Sequence, residues 1–127
     1  MPDAQSFAEC MDCACLAARK RAYALTRRYD DHLRGSGLTA HQFSMLSVLL
    51  IAGAVPISIL AEQLGIDRTT VSRNVALSVE RGLVSVSPGR DGRTRLVAIT
   101  SAGRTAARAA LPKWRKAQAE AARMIDG

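Results

Sequence analysis

Between Gly35 and Ala61 the chain carries no Asp, Glu, Lys or Arg, and from Phe43 to Leu60 it is apolar enough to demand burial, either in a bilayer or in a protein core. Gly53 and Pro56 interrupt the run, Thr39, His41 and Gln42 precede it, and Ser44 and Ser47 lie within it. No basic anchor follows its end, so a core helix accounts for it better than a membrane span. A 127-residue chain with 48% hydrophobic residues can bury one such core and is too short for two ordinary domains.

The segments around this run have their own periods. Phe7, Met11, Ala14, Ala18, Ala22, Leu25 and Tyr29 recur at three- and four-residue intervals, which predicts one long helix over Phe7 to Leu33 that Gly35 and Gly37 end. Thr39 with Gln42 three residues on is a capping-box pattern, and Phe43, Leu46, Leu49 and Leu50 form the apolar stripe of a second helix closed by Gly53 and Pro56. A short helix from about Ser58 to Leu64 breaks at Gly65-Ile66-Asp67, where Asp67 can cap a helix from Arg68 to about Arg81. Two helices joined by a three-residue turn with Gly predict a helix-turn-helix. After Gly82 the period becomes two, with Val84 and Val86, then Arg95, Val97 and Ile99, alternating with their neighbours. Between these strands Pro88 to Thr94 supplies a glycine-bearing turn that Arg90, Arg93 and Arg95 make cationic. From Ser101 the chain is Ala-rich and helical, with a kink expected at Pro112 and a stripe of Ala110, Trp114, Ala117, Ala121 and Met124 suited to a partner helix. No internal repeat or linker interrupts this order. The expected fold is mainly α with a small β-hairpin wing: a winged helix-turn-helix over residues 38–100, flanked by dimerisation helices at 7–34 and 101–126.

Lys and Arg outnumber Asp and Glu 18 to 11, a net charge of +7, which favours a polyanionic partner, nucleic acid or anionic membrane. With 4% aromatic residues a stacking surface for single strands is poorly supplied, so duplex DNA is the better match. The order of elements places the cations: a recognition helix entering the major groove and a hairpin reaching the backbone or minor groove. The candidate contacts are Arg68, Thr69, Thr70, Ser72, Arg73 and Asn74 on the helix, with hydroxyls for phosphates or base edges and an Arg fork that suits guanine. Arg90, Asp91, Arg93 and Arg95 are the candidates in the hairpin. Val71 and Val75 are expected to point inward. The bland alternative, a solvated face of an ordinary amphipathic helix, loses weight once the basic hairpin is attached. An architectural DNA-binding protein without an effector is the nearest rival, and a protein-interaction module is disfavoured by the arginines on the recognition face. No nucleophile and base pair, phosphate-binding Gly loop or usefully spaced carboxylates point to an enzyme.

Several stretches together resemble the multiple-antibiotic-resistance regulator (MarR) family across nearly the whole chain. They are Gly37-Leu38-Thr39 with Gln42-Phe43, Ile59 to Gly65, Thr70-Val71-Ser72-Arg73, Glu80 to Val84, Asp91-Gly92-Arg93, and Ile99 to Gly103. The resemblance implies a dimeric winged helix on an inverted-repeat operator, usually a repressor released by a small ligand or by oxidation. It implies too that Arg93 enters the minor groove and that Asp91 orients it. Family members pair through their first helix and two C-terminal helices; only 15 residues follow Pro112 here, so part of that interface is expected to be absent.

Cys10, Cys13 and Cys15 fall within six residues, an odd count, and no secretory signal is read in Met1 to Ser6, so a disulfide scaffold is not expected and a cytoplasmic location is. The organic-peroxide-sensing branch of the same family is similar in placing a Cys in its first helix fourteen residues before a Tyr, here Cys15 and Tyr29, the candidate redox pair. Fourteen helical residues span about 21 Å, so the two could meet only across a dimer contact. That branch has a second Tyr where this chain has Ala40, and a thiol without a donor or charge beside it stays protonated and packs as an apolar group. Cys10 and Cys13 could face one ion, but Cys15 is about 200° of helix rotation from Cys13, so one helix cannot present all three. No metal site and no cofactor are expected. His32 and His41 read as solvated or capping residues.

Overall fold

The uncharged run supplies the helix around which the chain assembles, and its last residues form an edge strand and the start of the next helix. The computed structural model describes residues 3–126; Met1 and Pro2, part of the N-terminal stretch read above, and Gly127 lie outside them. The order is α1 (Ala14–Leu33), α2 (Ala40–Ala52), β1 (Val55–Pro56), α3 (Ile57–Leu64), α4 (Arg68–Glu80), β2 (Val84–Pro88), β3 (Arg95–Ile99) and α5 (Ser101–Asp126). This is a winged helix-turn-helix, mostly helical, with a small antiparallel sheet.

Phe43, Met45, Leu46 and Leu49 of α2 are buried at the centre of one cluster. Leu33 and Leu38 close it on one side, Leu60, Val71 and Val75 of the helix-turn-helix on another, and Val84, Val97, Ala107 and Ala110 complete it. The start of α2 is held by polar contacts from three directions. Its capping box forms, with Gln42 N–H donating to Thr39 Oγ1 at 3.2 Å and Thr39 N–H to Gln42 Oε1 at 3.0 Å. Asp30 of α1 accepts from Ala40 N–H at 2.7 Å, and Arg81, just past α4, donates to Gln42 Oε1 at 3.0 Å and to the Gly37 carbonyl. The first turn of a buried helix leaves amides unsatisfied unless such partners are supplied.

The sheet has the order β1-β3-β2, both pairs antiparallel. β2 and β3 are the expected hairpin, with Val84 opposite Ile99 and Pro88 opposite Arg95. The two-residue β1 is an addition to the sequence reading: Val55 pairs with Val97 and Pro56 with Leu96, and Pro56, which has no N–H, is tolerated because β1 is an edge.

Two expectations for the flanking helices change. The helix predicted from Phe7 is divided, with a 3-10 turn over Ala8–Met11 and α1 beginning at Ala14. Cys13 is extended and its Sγ accepts from Leu16 N–H at 3.4 Å, so this thiol acts as the N-cap and the helix starts there. The stripe of α5 packs within its own chain, against both α1 and α2: Ala110, Ala117 and Ala121 are buried, and Trp114 stacks on Phe43 of α2 with ring centroids 6.0 Å apart. α1 and α5 run antiparallel, with Lys113 Nζ donating to the Arg34 carbonyl and Tyr29 bonded to Gln118. Nearer the end of α5, Glu120 receives Arg28 at 2.6 Å and His32 at 2.5 Å. Phe7, Met11, Tyr23 and Met124 remain exposed on this arm. α5 passes through Pro112 as one helix; Arg108, whose carbonyl loses its partner there, and Pro112 both lie on the solvent side.

Gly103 seats the first turn of α5 against the wing. A Cβ there would stand 2.2 Å from the Leu83 carbonyl oxygen and 2.7 Å from Ile99 Cγ1, which backbone cannot yield cheaply. In an open helix Gly to Ala stabilises by about 1 kcal/mol. Here Gly103→Ala is expected to destabilise by about 1 to 3 kcal/mol in urea denaturation, the range for overpacked cores. Ala109→Gly, exposed on the same helix, is expected to cost about 1 kcal/mol; an unchanged or raised midpoint for Gly103→Ala contradicts this packing.

Candidate nucleic-acid interface

The helix-turn-helix turn is built as its residues dictate. α3 ends at Gly65 in the left-handed conformation, φ 65°, and Asp67 caps α4. Asp67 Oδ2 accepts from Thr70 N–H at 3.0 Å and Oδ1 from the Thr70 hydroxyl at 2.7 Å. The Thr70 hydroxyl, first among the causes, and its amide hold the Asp67 carboxyl below the usual carboxylate range. Val71 and Val75 point inward and are buried, which turns Arg68, Thr69, Ser72 and Arg73 to the exposed face, with Thr70 and Asn74 half-buried at its margin. Since the Thr70 hydroxyl is engaged with Asp67, it is a helix-start residue first.

The wing tip is ordered by a second aspartate. Asp91 Oδ1 accepts from the backbone N–H of Thr94 at 2.8 Å and of Arg93 at 3.0 Å, while Oδ2 accepts from the Thr94 hydroxyl at 2.7 Å. The Thr94 amide, then its hydroxyl, then the Arg93 amide lower the Asp91 pKa. Gly92 takes φ 73° at the bend. Asp91 therefore acts on Arg93 through the backbone, and the Arg93 guanidinium stays in solvent. Arg90, Arg93 and Arg95 are exposed, and among the described residues neither they nor Arg68 and Arg73 enter an ion pair. Both nearby carboxylates being taken up by amides and hydroxyls, the face is left cationic, as anion recognition requires.

The other sequence candidates lie away from this face. A crevice of about 480 Å³ opens between the α1–α5 arm and the winged helix, lined by Leu25, Tyr29, Ala40, His41, Leu64 and Trp114 among others. Tyr29 donates to Gln118 and burial raises its pKa. Cys15 is exposed on the first turn of the same helix, so within one chain the two do not meet. Cys10 lies in the 3-10 turn and Cys13 at the cap, so they do not share a helix face. Among the described residues no three His, Cys, Asp or Glu side chains group as metal ligands. His32 is engaged by Glu120 rather than solvated, while His41 is exposed at the crevice. The sequence reading missed the crevice and the Arg81 and Asp30 contacts, because each joins residues far apart in the chain. No helix among the described residues is long and apolar enough to cross a membrane.

The family model described as MarR family matches residues 36–94. No curated protein matches the chain in sequence. The Mycobacterium tuberculosis transcriptional regulator MosR in complex with DNA is similar in structure, with TM-score 0.80 and 42% identity over 86% of this chain and 80% of that one. A second structure of Mycobacterium tuberculosis MosR gives TM-score 0.78 and 39% identity over 91% of this chain and 82% of that one. A probable transcriptional regulator from Pseudomonas aeruginosa gives 0.77 and 27% over 87% and 83%.

The Asp91 contacts make wing order depend on pH. A carboxylate whose folded pKa is depressed stabilises above its unfolded pKa, and that contribution is lost as pH falls through the folded value. The Arg93 and Thr94 amide resonances are expected to titrate together with a midpoint below the ordinary carboxylate range, and to lose that transition in Asp91→Ala. A midpoint at or above the ordinary range contradicts the assignment.

Proposed function

The chain belongs to the MarR family, and on that premise we propose that it is a transcriptional repressor that binds a pseudo-palindromic duplex operator as a homodimer. The observation that carries this is the face on which Arg68 and Arg73 of α4 and Arg90, Arg93 and Arg95 of the wing stand exposed and, among the described residues, without carboxylate partners. That MosR, 42% identical, has been solved in complex with DNA supports the same partner. On this reading residues 38–100 bind DNA. α4 lies in the major groove, where Arg73 reads guanine and Thr69, Thr70, Ser72 and Asn74 meet phosphates or base edges. Arg93 reaches the minor groove, with Asp91 fixing the turn that carries it, and Arg90 and Arg95 neutralise the backbone.

The segments 7–34 and 101–126 pair the two copies, using the apolar side chains that the arm leaves exposed. A small ligand in the crevice between arm and winged helix, or oxidation of Cys15 near Tyr29 of the partner subunit, changes the spacing of the two recognition helices and releases the operator in the cytoplasm. No cofactor and no catalytic step enter this account.

Sequences selected from random duplex DNA supply the test. With them, Arg73→Ala is expected to lose about 1 to 3 kcal/mol of binding and to relax preference at one position of each half-site. Arg93→Ala is expected to lose most on A·T-rich flanks. Equal losses for Arg73→Ala on every sequence would make it a phosphate contact, and no enrichment of any sequence would sink the repressor reading. For the thiol, an organic hydroperoxide is expected to release DNA from the wild type and from Cys10→Ser/Cys13→Ser but not from Cys15→Ser. If wild type and Cys15→Ser respond alike, Cys15 is not the sensor and the crevice ligand is the effector.

A further inference from the structure

The edge strand β1 has a consequence for the wing. By pairing Pro56 with Leu96 it draws the first turn of α3 against the turn end of the hairpin, beside Arg95. Together with the start of α4 this closes a notch of about 390 Å³ whose walls include Ser58 of α3, Arg68 of α4, and Arg93, Thr94 and Arg95 of the wing. Three arginines thus line one space from two separate elements, and among the described residues none of them is in an ion pair. Among the described residues no carboxylate lines the notch, and the nearest in sequence, Asp67 and Asp91, are engaged by Thr70 and by the Arg93 and Thr94 backbone. α3 starts at this wall without a side-chain cap, so the positive end of its dipole adds to the same field. Like charges held together repel, and the arrangement is relieved when an anion enters; guanidinium forks match the tetrahedral oxygens of phosphate in particular.

We propose that this notch is a seat for a single phosphate group, and that its occupant is the backbone diester lying between the groove entered by α4 and the groove reached by the wing. Resting on the proposed DNA-binding function, the inference adds a division of labour. Arg68 and Arg95, with the Ser58 hydroxyl, grip the phosphate and set the angle between recognition helix and wing. Arg93, at the rim, continues outward to the groove. A seat of this kind carries no sequence information: its loss weakens binding to any duplex alike, whereas loss of a base contact acts on one sequence.

The test uses the full chain, its selected duplex and a scrambled duplex, with wild type, Arg68→Ala, Arg95→Ala, and Arg104→Ala as a cation outside the notch. Arg68→Ala and Arg95→Ala are each expected to weaken both duplexes by the same factor and to reduce the slope of log affinity against log salt by about 1. Methylphosphonate replacement, one phosphate at a time, is expected to find one position per half-site that weakens wild type and Arg104→Ala but has no further effect on Arg68→Ala or Arg95→Ala. Losses confined to the selected duplex, or no phosphate coupled to these arginines, overturn the seat while leaving DNA binding intact. A wild type that binds no duplex fails the underlying function instead. Inorganic phosphate at constant ionic strength separates the two sources of the group. No saturable binding supports the backbone diester, whereas saturable binding abolished by Arg95→Ala, with no coupled diester, overturns that assignment in favour of a free phosphate.

Discussion

Burial of α2 is the condition on which the rest of the molecule depends. Its buried face, Phe43, Met45, Leu46 and Leu49, meets side chains from the helix-turn-helix, the sheet and α5, so each of these is positioned by packing against one rod. Such a helix cannot be left in water, and its first turn cannot be buried without partners. Both requirements are met together. The capping box closes the turn from within, Asp30 fixes it to the arm, and Arg81 fixes it to the end of the recognition helix. The arm and the recognition helix therefore share a support, and a displacement of one has a direct mechanical route to the other.

The second organising fact is where the negative charge goes. In a chain of net charge +7, the two aspartates beside the exposed arginines are turned onto neighbouring amides and hydroxyls. Asp67 starts α4 and Asp91 closes the wing turn, each held ionised by the donors it serves. They order the two elements that carry the arginines without neutralising them. Glu120 does the opposite work on the arm, where it joins α5 to Arg28 and His32 of α1.

Much of this was legible in the sequence because local signals dominated. Thr39 with Gln42, Gly65-Ile66-Asp67 and the change to period two after Gly82 each express chemistry within a few residues, and the elements begin and end close to where these signals fall. The inward pointing of Val71 and Val75 and the exposure of Arg68 and Arg73 followed from helical period alone. What escaped was non-local or too short to have a period. β1 has two residues and exists because β3 offers an edge, and Cys13 replaced an expected helix interior with a cap because a thiol can accept the Leu16 amide. The α5 stripe is apolar as its period predicts, but much of it is covered by α1 and α2 of the same chain; pattern gives the face of a helix and not what covers it. The role of each arginine has the same status, since charge and exposure locate the face while the groove each one enters depends on DNA.

Hydroxyl-radical footprinting of the selected operator tests the central claim most directly, because it reads the number and spacing of recognition helices on the duplex. Two protected half-sites, related by a two-fold axis and centred about 34 to 36 Å apart, one helical turn, are the result this account predicts. A single protected half-site at saturating protein, or uniform protection without a centre, would contradict a dimer that presents two α4 helices to successive major grooves.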